Sequence, residues 1–305
     1  VVAQVLQLAW QQLTVKHGLP FNIDGRSGDC DFIIIAYGKL GGLELNYGSD
    51  LDLVFVHDGN ADLDTTGGSG GAINSSAFYV QLAQKILAYL GTQTLVGKLY
   101  EIDLRLRPSG ASGALVSSLA AFERYQKQDA WTWEHQALVR ARVVAGHPAL
   151  EARFMTVRNA VLARKRDLAV LRTDILDMRD RMVRQHGSRG HAQFDLKQDS
   201  GGLIDIEFMV QYLVLAHAHE QAGLLQHPDN MRLLDTAAGC GLLPAQTVAM
   251  LQEIYLLYRT ELHRLALNLQ GSMLDGAAFA EERDKVRSAW QALLSGSGSA
   301  GVAAP

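Results

Sequence analysis

Gly48-Ser49-Asp50-Leu51-Asp52-Leu53-Val54-Phe55-Val56 sets two acids at the head of an apolar run. Leu, Val and Phe in succession read as a buried β-strand. Strand side chains alternate faces with a period of two, so Asp50 and Asp52 project from the same side. Two carboxylates sharing one small volume repel unless a hard cation lies between them, and Mg²⁺ takes one or two carboxylates plus substrate phosphate oxygens. Asp-x-Asp also decorates many solvated turns, so the pair takes its meaning from its surroundings. Upstream, Phe32-Ile33-Ile34-Ile35-Ala36-Tyr37 is a second apolar run with strand character, closed by Gly38-Lys39 and by Gly41-Gly42. The order strand, glycine turn, connector, Ser-Asp-x-Asp strand puts backbone N–H groups and a lysine beside the carboxylates, as a triphosphate requires. Asp62-Leu63-Asp64 repeats the spacing among Asn60, Thr65, Thr66 and Gly67, without a strand, and reads as surface loop.

A two-metal site needs a third acid from a neighbouring strand. Leu99 to Arg107 alternates, with Tyr100, Ile102, Leu104 and Leu106 on one face and Glu101, Asp103, Arg105 and Arg107 on the other. A solvent-facing strand with cross-strand ion pairs has the same pattern. Beside the Asp50 motif, Asp103 becomes the third metal ligand, and Arg105 and Arg107 suit phosphate oxygens through forked hydrogen bonds.

The glycine turn, Ser49-Asp50-Leu51-Asp52 and the Asp103 strand resemble the nucleotidyltransferase superfamily of the DNA polymerase β type, with Lys39 where many members have serine. A closer resemblance runs through Tyr37 to Asp52, Asp103-Leu104-Arg105-Leu106-Arg107-Pro108-Ser109-Gly110, Trp131 to Arg142 and Gly201 to Phe208. These stretches are similar to bacterial glutamine synthetase adenylyltransferase, the bifunctional adenylyltransferase/adenylyl-removing family, over nearly the whole chain. Gly48-Ser49, Trp131-Thr132-Trp133 and an end soon after a helical region resemble its C-terminal, adenylylating half.

The resemblance implies a Mg²⁺-dependent enzyme that moves AMP from ATP to a tyrosine of glutamine synthetase, releases pyrophosphate and regulates nitrogen assimilation in the cytoplasm. Asp50, Asp52 and Asp103 would be catalytic and metal-binding, with Asp103 also the general base. Gly38, Lys39, Ser49, Arg105 and Arg107 would bind nucleotide. Glutamine synthetase would be the protein substrate, and a nitrogen-signalling PII-type regulatory protein would act through the full-length enzyme, with no nucleic-acid or membrane partner. Two other functions stay open: the related phosphate-dependent removal of AMP from modified glutamine synthetase, and a non-catalytic interaction module. A binding module has no need of clustered acids.

The fold class expected is α+β, a polymerase-β-type nucleotidyltransferase domain over 1–150, then an all-α helical bundle over 151–294 and a disordered Gly/Ser/Ala-rich tail over 295–305. With 305 residues, 48% of them hydrophobic, the chain can bury a large core divided between two domains. A net charge of -4 leaves no electrostatic footprint for nucleic acid. Cys30 and Cys240 lack metal spacing and suit reduced thiols in a reducing compartment. No run approaches the apolar length that spans a bilayer, and no charged-then-apolar leader opens the chain. Val1 at the start suggests a piece of a longer polypeptide.

Periodicity predicts a helix over 1–17, strands near 31–37, 51–57 and 99–107, and a helix near 74–91 marked by Phe78, Leu82, Ile86 and Leu90. Gly67-Gly68-Ser69-Gly70-Gly71 reads as a flexible surface insertion, with a mobile lid as the alternative. Strand signals fade from about residue 118. Leu171, Ile175, Met178 and Met182 mark one helix, Val248, Leu251, Tyr255, Tyr258, Leu262, Leu265 and Leu269 a longer one, and Phe279, Val286, Trp290 and Leu293 continue the pattern. His217 and His219, two apart, point in different directions on a helix and do not form a metal site. Arg164-Lys165-Arg166 reads as a solvated loop or helix end. Asp205 and Glu207 suit a helix N-terminus, or else a contact with the active cleft. Trp131 and Trp133, beside Glu134 and His135, read as packing. Arg140 and Arg142 are left open between nucleotide and protein substrate.

Overall fold

The computed structural model describes residues 1–93, 95, 97, 100–188, 190 and 192–294, and the chain divides into two compact units, Val1–Val161 and the chain from Leu162 on. It has the α+β composition expected, with a mixed sheet in the first unit and mostly helix in the second. Residue 150 lies inside a helix, Pro148–Leu162. The tail expected over 295–305 and Leu99 of the third strand fall outside the described residues.

The first unit opens with α1 (Val2–His17), whose Leu6, Ala9, Leu13 and His17 are buried at three- and four-residue steps. Then come β1 (Phe32–Ala36), the single turn α2 (Gly38–Gly41), β2 (Leu51–His57) and α3 (Ser75–Leu90), which is capped by the Asn74 side chain accepting from Ser76 N and Ala77 N. The short β3 (Ile102–Asp103) and β4 (Val116–Ser118) follow, then α4 (Leu119–Gln128), α5 (Thr132–Val139), β5 (Arg142–Gly146) and α6 (Pro148–Leu162).

β1 lies antiparallel between β2 and β5, while β3 and β4 each pair in parallel with β2, β3 at its start and β4 at its end. One face carries Phe32, Ile34, Ala36, Leu51, Leu53 and Phe55 into a core with α1 and α3. The intervening Ile33, Ile35, Val54 and Val56 are equally buried, so the sheet is covered on both sides. That is why β1 and β2 read as continuous apolar runs rather than as alternation.

Three expectations need correction here. The strand predicted over 99–107 is only Ile102–Asp103 among the described residues, because the chain turns after Asp103. The Asp103 side chain accepts Arg105 N at 2.7 Å, Arg107 N bonds Leu104 O at 3.2 Å, and Ser109 and Gly110 take positive φ. Arg105 and Arg107 therefore do not share a strand face. A strand does form beyond residue 118: β5 is recruited by its pairing with β1. The glycine-rich loop is tied down at the end of α1, where Ser69 N and Gly70 N bond Val15 O and Lys16 O at 3.2 and 2.7 Å and the Thr65 hydroxyl bonds His17 O. Its N–H groups satisfy the carbonyls that a helix end leaves unpaired.

The second unit comprises α7 (Leu168–His186), β6 (Gln193–Asp195), α8 (Leu203–His217), α9 (Asn230–Gly239), α10 (Ala245–Leu267), β7 (Met273–Asp275) and α11 (Ala280–Leu294). From Leu203 to Ala216 every residue of α8 except Glu207 is buried, and α7, α9, α10 and α11 pack around it. The unit is not purely helical, since β6 and β7 form an antiparallel ribbon. Strands of three residues are too short to show a period of two. α10 ends at Leu267, which leaves Leu269 96% exposed rather than in the helical seam. Among the described residues, no helix is long and apolar enough to cross a membrane.

Candidate active site

Parallel pairing of β2 with β3 sets Leu51 opposite Ile102 and Asp52 opposite Asp103, and Leu51 N bonds Glu101 O at 2.8 Å. Asp50 immediately precedes β2. The three aspartates can each turn one carboxylate oxygen to a common point, all within 4.8 Å of one another, with Asp50 exposed and Asp52 and Asp103 half-buried. A depression of about 400 Å³ opens there, lined by Asp50, Glu101, Ile102, Asp103, Leu104 and Arg105.

The turn between β1 and β2 lies against this cluster. Tyr37 N bonds Asp52 O at 2.9 Å, and Gly38 has φ 52, with no room for a Cβ beside Asp52 Oδ2. Only glycine meets both demands. Gly41 N and Gly42 N close the turn on Tyr37 O and Gly38 O, so these two donors serve the backbone. Lys39 Nζ donates to Ser49 Oγ at 3.4 Å, and that buried hydroxyl also accepts Asn46 N at 3.1 Å. Gly38, Lys39 and Ser49 are thus grouped at the head of β2.

The arginines diverge. Arg105 donates from Nε to Asp103 Oδ2 at 2.7 Å and pairs with the same oxygen through Nη2, while its side chain stays 80% exposed. This guanidinium holds the Asp103 carboxyl below the usual carboxylate range, against a smaller opposing effect of burial. Arg107 instead donates to Leu104 O, Ala111 O and Gly113 O at 2.8, 2.9 and 3.2 Å and braces the 104–113 loop.

Arg140 and Arg142 hold the turn from its other side. Arg140 forms a buried ion pair with Glu44, a residue the sequence reading passed over, and Arg142 donates to Leu40 O and Gly41 O at 2.9 and 3.2 Å. The available signal was a lone acid between Leu43 and Leu45, where burial demands a partner. Glu134 caps α5, accepting Trp131 N and the Tyr125 hydroxyl at 2.9 Å each, and a ring nitrogen of His135 meets Gln126 O. Trp131 is 71% exposed and does not pack as expected.

In the second unit, Asp205 is buried, accepts Arg179 Nε and Gly201 N at 2.6 Å each, and serves internal structure. Glu207 accepts the Tyr255 hydroxyl at 3.2 Å. Arg166 is not simply solvated: it reaches Leu162 O, Arg164 O and Leu215 O at 3.0, 2.9 and 3.2 Å, and burial lowers its pKa to about 10. Asp62 and Asp64 are exposed loop residues.

Comparison with known proteins places the chain in a family. The GlnE family model, glutamate-ammonia ligase adenylyltransferase, matches residues 1–157, and the GlnD PII-uridylyltransferase model matches 169–272. The bifunctional glutamine synthetase adenylyltransferase/adenylyl-removing enzyme of Pseudomonas aeruginosa is 50% identical over 308 residues, covering 97% of this chain and 31% of that protein. Those of Pseudomonas putida and Thioalkalivibrio sulfidiphilus are 48% and 49% identical, each across 96% of this chain and 31% and 30% of their own lengths. The chain therefore spans about a third of the length of the curated relatives it matches. With a family model matched from residue 1 to residue 157, the chain belongs to the glutamate-ammonia ligase adenylyltransferase family.

Proposed function

We propose that the chain is a Mg²⁺-dependent nucleotidyltransferase that moves AMP from ATP to a tyrosine hydroxyl of glutamine synthetase and releases pyrophosphate. The observation that carries this is the convergence of Asp50, Asp52 and Asp103 on one point. The donors are hard oxygens, their like charges favour a cation between them, and the set leaves room for phosphate oxygens, which fits Mg²⁺. When bound, the metal supplies Lewis-acid stabilisation of the attacking and leaving oxygens.

The chain's own residues do the rest. Asp50, Asp52 and Asp103 would hold the metal, and Lys39, Ser49 and the turn at Gly38 would receive the β and γ phosphates. Asp103 takes the acceptor proton as the tyrosine oxygen attacks the α-phosphorus in line and the bond to the pyrophosphate oxygen breaks. Pairing with Arg105 makes Asp103 a weaker base. The Arg105 guanidinium, 80% exposed beside Asp103, is placed to meet the incoming phosphates. Arg107 supports the nucleotide by shaping the 104–113 loop that presents Arg105. No covalent enzyme intermediate is required.

A second reading is phosphate-dependent removal of AMP from modified glutamine synthetase as ADP, since the relatives' names carry both activities. The Gly48-Ser49 and Trp131-Thr132-Trp133 stretches favour the adenylylating half, by resemblance. Cytoplasmic location and control by a PII-type regulator acting through a longer chain belong to the same proposal. Incubation with labelled ATP, Mg²⁺ and glutamine synthetase tests it: label should pass to unmodified glutamine synthetase. With inorganic phosphate added, release of ADP from AMP-modified glutamine synthetase alone would favour removal, and neither reaction would leave a binding module.

A further inference from the structure

We propose that Arg142, backed by the buried Arg140–Glu44 pair, is a positioning residue that sets the depth of the Gly38–Gly42 turn against Asp52, and so governs affinity for the triphosphate. This rests on the nucleotidyl-transfer function proposed above. Arg142 stands opposite Ala36 in the β1–β5 register, the residue from which the chain leaves the sheet toward Gly38. Its guanidinium donates to Leu40 O and Gly41 O, two adjacent carbonyls at the end of the turn. Arg140 faces the same turn: its guanidinium nitrogens lie 2.6 Å from where a Gly42 Cβ would stand, and its carbonyl occupies the place of a Gly41 Cβ.

Glu44 completes the clamp. Its carboxylate pairs with Arg140, both side chains being 5% exposed, and its N–H bonds Lys39 O at 2.7 Å. The lysine proposed to meet phosphate is therefore held through its own carbonyl. On the opposite side Gly38 abuts Asp52 Oδ2 without space for a methyl group. The turn is wedged between a metal-binding carboxylate and two arginines, and moving it shifts Lys39 and the contact with Asp52 together. Arginine suits this because its planar fork bonds two carbonyls at once, which lysine cannot reproduce.

The test uses Arg142→Met, which keeps much of the packing and removes the donors, and Arg142→Lys, which restores charge and one donor. Three readouts are compared with the unaltered chain: calorimetric Mg·ATP affinity, Mn²⁺ binding without nucleotide, and the KM for ATP against kcat. Misplacing the turn should weaken Mg·ATP binding about tenfold in Arg142→Met. Mn²⁺ affinity should be nearly unchanged, the melting midpoint should fall modestly with the two lost carbonyl bonds while the protein stays folded at the assay temperature, and Arg142→Lys should recover part of the ATP loss. Wild-type Mg·ATP affinity in folded Arg142→Met would overturn the proposal. So would losses of Mn²⁺ and ATP binding that merely track a lowered melting midpoint, with no selective ATP defect in Arg142→Lys. If the unaltered chain binds Mn²⁺ but no Mg·ATP and transfers no AMP, nucleotidyl transfer itself fails and the inference falls with it.

Discussion

Asp52 and Asp103 are register partners on the adjacent parallel strands β2 and β3. Parallel neighbours put side chains of paired residues on one face, so two carboxylates far apart in sequence meet with Asp50 just ahead of them. Neutralising one of the three should cost metal affinity and transfer more than stability. Asp50→Asn or Asp52→Asn is expected to lower AMP transfer at least about a hundredfold. In the absence of Mg²⁺ the melting midpoint should be unchanged or slightly raised by relieved repulsion. Wild-type turnover in either variant would dismiss the site.

Arg105 and Arg107 should separate cleanly. Arg105→Ala removes the guanidinium beside Asp103, so the Asp103 carboxyl should titrate nearer its ordinary value, and ATP affinity should fall with little change in melting. The pairing stabilises the fold above the ordinary carboxylate pKa and is lost as pH falls through the depressed one, weakly because Arg105 is exposed. Arg107→Ala breaks three bonds to loop carbonyls and should cost about 1–3 kcal/mol of stability. Equal losses of ATP affinity at unchanged stability would contradict this division.

His57 makes the first unit acid-sensitive. It is buried against Tyr79 with ring centroids 4.9 Å apart, accepts Gly59 N at 2.9 Å, and desolvation lowers its pKa from 6.5 to about 4. Between those values the unfolded chain binds a proton that the folded chain refuses, so stability falls as pH drops through 6.5 and levels off below about 4. The full effect is about 3 kcal/mol. Denaturant unfolding from pH 7 to 4 should show this slope, and His57→Asn, which retains an acceptor, should flatten it. An identical slope in the variant would assign acid sensitivity elsewhere.

Tyr255 tests whether the units fold independently. It is fully buried, and its hydroxyl accepts from Asn230 at 2.8 Å and donates to Glu207. Tyr255→Asp buries a charge and should cost about 4 kcal/mol or more, unfolding the helical unit. The three aspartates all lie before residue 110, so Mg·ATP binding should survive while modification of glutamine synthetase is lost. Loss of ATP binding with the first unit still folded would show that the nucleotide site needs the second.

Local physics alone determined the parts of this protein that depend on neighbours in sequence. The apolar runs at 32–36 and 51–57 become central strands because both faces are buried, and Asp50 and Asp52 share a side because a strand repeats every two residues. α1 and α3 follow from apolar residues at helical spacing. Tertiary structure decided what distant partners control. Short β5, β6 and β7 exist because another strand pairs with them, and among the described residues the third strand ends at Asp103 because Asp103 caps the following turn. The 67–71 loop is ordered by carbonyls at the end of α1, about fifty residues away, and Glu44 finds Arg140 across 96 positions. Composition made that loop look free and Glu44 look incidental. A hydrogen bond or buried charge is satisfied by whichever group the fold brings within reach, and sequence spacing carries no record of that distance.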